Sequence, residues 1–134
     1  MASIFTKIIQ GEIPCEKIIE TNAEIAFLDI MPSASGHTLV LPKLEVMRLE
    51  DLPETQTISL MRTLQQVAKA VSKAFNGIDY NLILNNGANA GQQVKHIHFH
   101  VLPRIEGSPG PFRKHIQYAE GEMQEVGARI RNCL

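Results

Sequence analysis

Three histidines alternate with apolar residues in His96-Ile97-His98-Phe99-His100-Val101-Leu102. In a β-strand, residues i, i+2 and i+4 share a face, with same-face neighbours roughly 6–7 Å apart. The spacing predicts a strand over 95–102, stopped by Pro103. All three imidazoles would line one face, and Ile97, Phe99 and Val101 would enter a core. A merely polar, solvent-facing strand fits the same pattern. A zinc site is a second reading. Two histidines at i and i+2 can reach one metal, with His37 as a third ligand, although no acidic residue or cysteine lies near the row in sequence to complete the shell. The third reading is chemistry at phosphorus. Neutral imidazole is nucleophilic, and its ordinary pKa keeps much of it neutral at pH 7. One histidine could form a covalent phosphoramidate that water then cleaves, while its neighbours stabilise the phosphoryl oxygens. Three imidazoles in register favour this reading.

The stretch Asn86-Gly87-Ala88-Asn89-Ala90-Gly91-Gln92-Gln93 leads into the row. Glycines let backbone N–H groups approach an anion, and the amide side chains add donors. The same composition also makes a plain turn. Asp29 closes an otherwise apolar strand. It reads as a turn residue or as a carboxylate accepting both hydroxyls of a ribose. His37 heads another apolar strand and reads equally as a core or an edge histidine.

Five strands and one long helix must position these groups. Ile4, Phe5, Ile8 and Ile9 recur at helical spacing after a capping Ser3, and Gly11 and Pro14 end that helix. Further strands are predicted over 17–21, 24–30, 37–41 (closed by Pro42) and 80–85. Asp51-Leu52-Pro53-Glu54 predicts a helix start with Asp51 as N-cap and Pro53 in the first turn. Ile58, Met61, Leu64, Val67, Ala68, Val71, Ala74 and Phe75 then form one face about six turns long. Asn76-Gly77 supplies its stop. An irregular segment is expected around Gly107, Pro109, Gly110 and Pro111, and a final helix over 119–131. Short strand-to-strand connections with one long helix predict an α+β fold with an antiparallel sheet.

At 134 residues and 44% hydrophobic content, the chain reads as one globular domain over 1–134. Thirteen basic against fourteen acidic residues give a net charge of −1, too little basic character to wrap a long nucleic acid. Cys15 and Cys133 form no CxxC pair and read as free thiols of a reducing cytosol. No signal pattern or membrane-length apolar run is present, so a cytoplasmic protein without membrane contact is expected.

Together these residues resemble the histidine triad (HIT) nucleotide-binding family, and its bacterial Hint-like members in particular. The family motif His-φ-His-φ-His-φ-φ, with φ apolar, is matched by His96 to Leu102 at every position. Asp29-Ile30, Gly36-His37-Thr38-Leu39-Val40-Leu41-Pro42-Lys43 and Gly91-Gln92-x-Val94 fit as well. The likeness covers residues 3–104 and leaves 105–134 outside. It implies a five-stranded antiparallel sheet with one long central helix and short terminal helices. It also implies a homodimer whose sheets join into one of ten strands through the long helix and the fourth strand. The implied reaction is hydrolysis or transfer at the α-phosphate of a nucleoside monophosphate ester, amide or anhydride, with no cofactor and no catalytic metal.

By the same resemblance His98 is the nucleophile, His100 a phosphate ligand, and His96 and His37 the supporting pair. Asp29 is the ribose-binding acid, Ile30 packs on the base, and Asn85, Gly91, Gln92, Gln93 and Val94 surround the phosphate. A purine nucleoside phosphoramidase acting on AMP or GMP conjugates is the reading expected. A dinucleoside polyphosphate hydrolase, or a nucleotide-binding regulatory protein with little catalysis, are the alternatives. Gln93 stands where family members often carry a Ser or Thr that assists the leaving group. Some bacterial members hold structural zinc with a Cys-x-x-Cys near the N-terminus. Ser3 and Thr6 occupy that spacing here, so no zinc is expected.

Overall fold

The computed structural model describes residues 2–104 and 115–134. Helix α1 (Ile4–Ile9) is capped by Ser3, whose Oγ accepts the Thr6 N–H at 3.0 Å. Strands β1 (Lys17–Glu20), β2 (Glu24–Leu28) and β3 (Thr38–Pro42) follow as an antiparallel meander. Helix α2 (Glu54–Ala74) then crosses the sheet to β4 (Asp79–Leu84), and β5 (Phe99–Arg104) and α3 (Glu122–Arg131) complete the order. The sheet runs β1-β2-β3-β5-β4, so β5 is inserted between β3 and β4, antiparallel to both. The expected five-stranded antiparallel α+β architecture is what forms.

Alternation along the strands explains the two cores. Ala26, Leu28, Val40 and Val101 face α2 and α3, where they meet Leu60, Leu64, Val67, Val71, Val126 and Ile130. Ile25, Phe27, Leu39 and Leu41 face the other way and pack on Phe5 of α1. Every residue of β2 and β3 is therefore buried. His100 lies between Phe99 and Val101, which turn toward α2, and so points to the α1 side.

Several local expectations are corrected. β5 begins at Phe99, so His96 and His98 precede the regular strand. Pro103 does not stop it but pairs with Tyr80. Pairing with β3 ends at Val101, so past that residue β3 asks no N–H of β5. Pro53, not Asp51, is the N-cap of α2, because Asp51 ends a separate 3-10 turn over Leu49–Asp51. Ile58 and Met61 are exposed, at 55% and 49%. The buried face of α2 instead runs through Leu60, Thr63, Leu64, Val67, Ala68, Ala70, Val71 and Ala74, and about 100° per residue turns Ile58 to the opposite side. The last helix starts at Glu122 rather than 119. The irregular segment expected around Gly107 to Pro111 lies outside the described residues. Among the described residues no helix is long and apolar enough to cross a membrane.

Candidate active site

His37 and the three row histidines are all buried. Their rings run in sequence through the interior. Phe5 packs edge-on against His96 and His98, with centroids 5.9 and 4.8 Å away. His98 to His100 is 4.9 Å, and His100 to His37 is 5.1 Å. Burial pushes each imidazole pKa down. His37 falls to about 3, helped by the neighbouring His100, and His100 to about 4, helped by His98. His98 and His96 also fall, again chiefly through burial. All four are therefore neutral at pH 7, and each carries one ring proton.

Fixed backbone partners decide where those protons sit. The Ser33 N–H donates to His37 Nδ1 at 3.0 Å, so the His37 proton is on Nε2. That Nε2–H donates to His100 Nδ1 at 2.9 Å, which puts the His100 proton on Nε2. His98 Nδ1 donates to the His96 carbonyl at 2.8 Å, leaving Nε2 as its lone-pair nitrogen. His96 Nε2 donates to the Pro42 carbonyl at 2.8 Å. His98 thus offers a nucleophilic lone pair, and its neighbour His100 offers a donor.

Asp29 follows β2 directly. Its Oδ1 accepts the Met31 N–H at 2.9 Å, and its Oδ2 lies 3.6 Å from His37 Nε2. Burial raises the carboxyl pKa, partly offset by that N–H. An acidic residue thus does lie near the histidines in space, though not in sequence. Asp29, His37 and His100 bring ligand atoms within 4.8 Å of one another, the dimensions of a metal site. The proton positions oppose that use. Ligation through His37 Nε2 would drive its proton to Nδ1, directly against the Ser33 N–H.

A cavity of about 450 Å³ opens beside the rings, within the usual size for a small-molecule site. Of the residues that the resemblance named, Asp29, His37, His98, His100, Asn85, Gly91, Gln93 and Val94 line it. Ile30 and Gln92 do not line it. Ile30 is 73% exposed, and Met31 takes the place at the wall. Gln92 braces the loop from behind: its Oε1 accepts the Gly87 N–H and its Nε2 donates to the Met47 carbonyl, both at 2.8 Å. His96 supports the row from below the cavity wall. The glycine loop also differs from the cradle expected. The N–H groups of Ala90, Gly91 and Gln92 donate to Gly87 and Ala88 carbonyls, making one tight turn. Gly91, with φ of +92°, supplies the left-handed residue this turn needs. Asn85 and Gln93 are the residues with polar side chains that this segment contributes to the cavity lining.

A family model described as the HIT domain matches residues 10–107. The chain belongs to the HIT family. Among HIT relatives, it is 43% identical over 109 residues to the adenosine 5'-monophosphoramidase HNT1 of Saccharomyces cerevisiae, covering 81% of this chain and 66% of that one. The adenylylsulfatase HINT3 of Arabidopsis thaliana is 39% identical over 135 residues, covering 98% and 68%. A HIT-like protein from Bartonella henselae, solved by crystallography, superposes with a TM-score of 0.86 at 38% identity, covering 98% and 96%.

Ile4, Phe5, Met31, Leu39 and His115 also line the cavity of this HIT protein, and sequence reasoning did not assign them to the site. Ile4 and Phe5 arrive from a helix over 90 residues away from the row. His115 lies in a segment fastened to the β2–β3 turn, where Ile116 N–H donates to the Pro32 carbonyl and Gly36 N–H to Tyr118 Oη. Only the helical spacing around Phe5 hinted at any of these contacts.

Proposed function

We propose that this protein is a nucleotide hydrolase acting at the α-phosphate of purine nucleoside 5'-phosphoramidates and related AMP or GMP conjugates. The observation that carries this reading is the proton pattern: a lone pair on His98 Nε2 next to an N–H on His100 Nε2, on one cavity wall. Phosphoryl transfer needs a nucleophile in line and donors on the equatorial oxygens, with little further covalent chemistry from the protein. His98 Nε2 attacks phosphorus and the bond to the leaving amine breaks, the amine taking a proton from solvent. Water then attacks the His98 phosphoramidate and releases the nucleoside monophosphate. His100, Asn85 and Gln93 hold the phosphoryl oxygens, Asp29 receives the ribose hydroxyls, and Ile4, Phe5, Met31 and Leu39 offer an apolar wall to the base. The names of the yeast and plant relatives support a nucleoside phosphate centre with an amine or sulfate leaving group. Free Cys15 and Cys133 suit a cytoplasmic setting.

The test is release of AMP from adenosine 5'-phosphoramidate without added metal. The native chain should turn over, and His98→Ala should lose about a thousandfold or more while keeping its circular dichroism spectrum and nucleotide affinity. Turnover retained in a folded His98→Ala variant would overturn the assignment. Rates on the amidate, adenylyl sulfate and a dinucleoside polyphosphate rank the leaving groups.

A further inference from the structure

The start of α1 reaches the catalytic row through a chain of hydrogen bonds that the reaction itself does not use. Ser3 Oγ lies 2.8 Å from His96 Nδ1. His96 carries its proton on Nε2, where the Pro42 carbonyl takes it, so Nδ1 holds a lone pair and the Ser3 hydroxyl must donate. The lone pair of that hydroxyl accepts the Thr6 N–H. Glu45, in the loop after β3, accepts the Ser3 N–H at 2.7 Å and the Thr6 hydroxyl at 2.5 Å. These contacts clamp the helix start to the loop, and of the two acceptors within reach of the Ser3 hydroxyl, His96 Nδ1 at 2.8 Å is closer than Thr6 Oγ1 at 3.4 Å. The His96 carbonyl in turn accepts His98 Nδ1–H, the bond that leaves the nucleophilic lone pair on Nε2. Phe5, two residues beyond Ser3, packs on both rings.

We propose that Ser3 is a positioning residue for the nucleophile: its hydroxyl donates to His96 Nδ1 and, with the Pro42 carbonyl on the other ring nitrogen, holds the His96 ring and thereby the carbonyl that orients His98. Were His96 to carry its proton on Nδ1 instead, its Nε2 lone pair would face the Pro42 carbonyl oxygen. That repulsion would shift the segment whose carbonyl orients His98. A ring nitrogen's partner fixes which nitrogen keeps the proton, and small displacements of a reacting group are costly in rate. The inference deepens the hydrolase reading and rests on it for its effect on rate, but the tautomer itself is measurable without substrate.

The experiment compares the native chain with Ser3→Ala, Ser3→Asp and Ser3→Thr. Asp caps a helix as well as Ser does but cannot donate to His96, so it separates loss of the cap from loss of the donor. Ser3→Ala and Ser3→Asp should lower kcat by between about tenfold and a hundredfold with KM for the amidate within about twofold. In Ser3→Asp the carboxylate accepts from Nδ1, so the ¹⁵N ring shifts of His96 should move away from the Nε2–H tautomer. Ser3→Thr should keep both rate and ring shifts near native. Native ring shifts in folded Ser3→Asp would overturn the proposal whatever the rate does, and so would a kcat loss not rescued by Thr. Absence of turnover in the native chain would count against the hydrolase reading alone, and the ring shifts would still decide the role of Ser3.

Discussion

The His37–His100 pair illustrates how one backbone donor sets the chemistry of a site. Ser33 N–H holds the Nδ1 lone pair of His37, and the next two protons follow without further choice. The same burial that keeps these rings neutral makes them sensitive to acid. Both pKa values lie far below the roughly 6.5 of an imidazole in an unfolded chain. Between these limits the unfolded chain binds more protons, so stability rises with pH. The contribution is complete above about pH 6.5 and is lost as pH falls toward about 4 and then about 3. Asp29, whose pKa is raised, acts with the opposite sign. The urea midpoint should therefore drop between about pH 7.5 and about pH 5, where most carboxyls remain ionised, and the drop should shrink in His37→Gln. A midpoint independent of pH over that interval would contradict the neutral assignment. Enzymatic activity should likewise extend below the ordinary imidazole range, its acid limb set by the depressed His98, as a pH–rate profile would report. At this scale the alternation of residue types exposed His98 and His100. It did not expose Ser33, whose role depends on a main-chain group that any residue type would supply.

At the scale of elements, the long helix, the antiparallel order and the α1 cap were legible, because they rest on periodicity and local capping. The start of β5 was not. Ile97 N–H donates to the Val46 carbonyl at 2.8 Å, and the His96 ring holds Pro42, so the first half of the row is drawn to the loop after β3 instead of joining the ladder. Such partners lie about fifty residues away, beyond the reach of local pattern. The same limit hid Glu24, a buried residue at the head of β2 whose carboxylate accepts Thr63 and Ser59 hydroxyls at 2.7 Å and the Thr21 hydroxyl at 3.1 Å. Two of these donors project from α2, so the cluster ties that helix to the sheet. Thr63→Val keeps the shape and removes one hydrogen bond to a charged group, which should destabilise the fold by about 1.5–3 kcal/mol. Urea denaturation of the variant measures this, and a change under about 0.5 kcal/mol would mean the carboxylate is satisfied without Thr63.

For the whole molecule, β4 and α2 each leave apolar side chains exposed. β4 is an outer strand paired only with β5 among the described residues, and it exposes Tyr80 and Leu82. α2, which leads into β4, exposes Ile58 and Met61 on the face away from the core. A six-residue outer strand with exposed apolar side chains invites pairing with another strand. Two copies joined edge to edge at β4 would continue the sheet across a two-fold axis, with the exposed sides of α2 adding apolar area. The native chain should sediment at twice the mass of one chain at micromolar concentration. Leu82→Arg combined with Ile58→Glu should sediment as a single chain with an unchanged circular dichroism spectrum, because neither side chain enters the core. A native chain that sediments alone, or a double variant that still pairs, would place any self-association elsewhere than on this strand and helix.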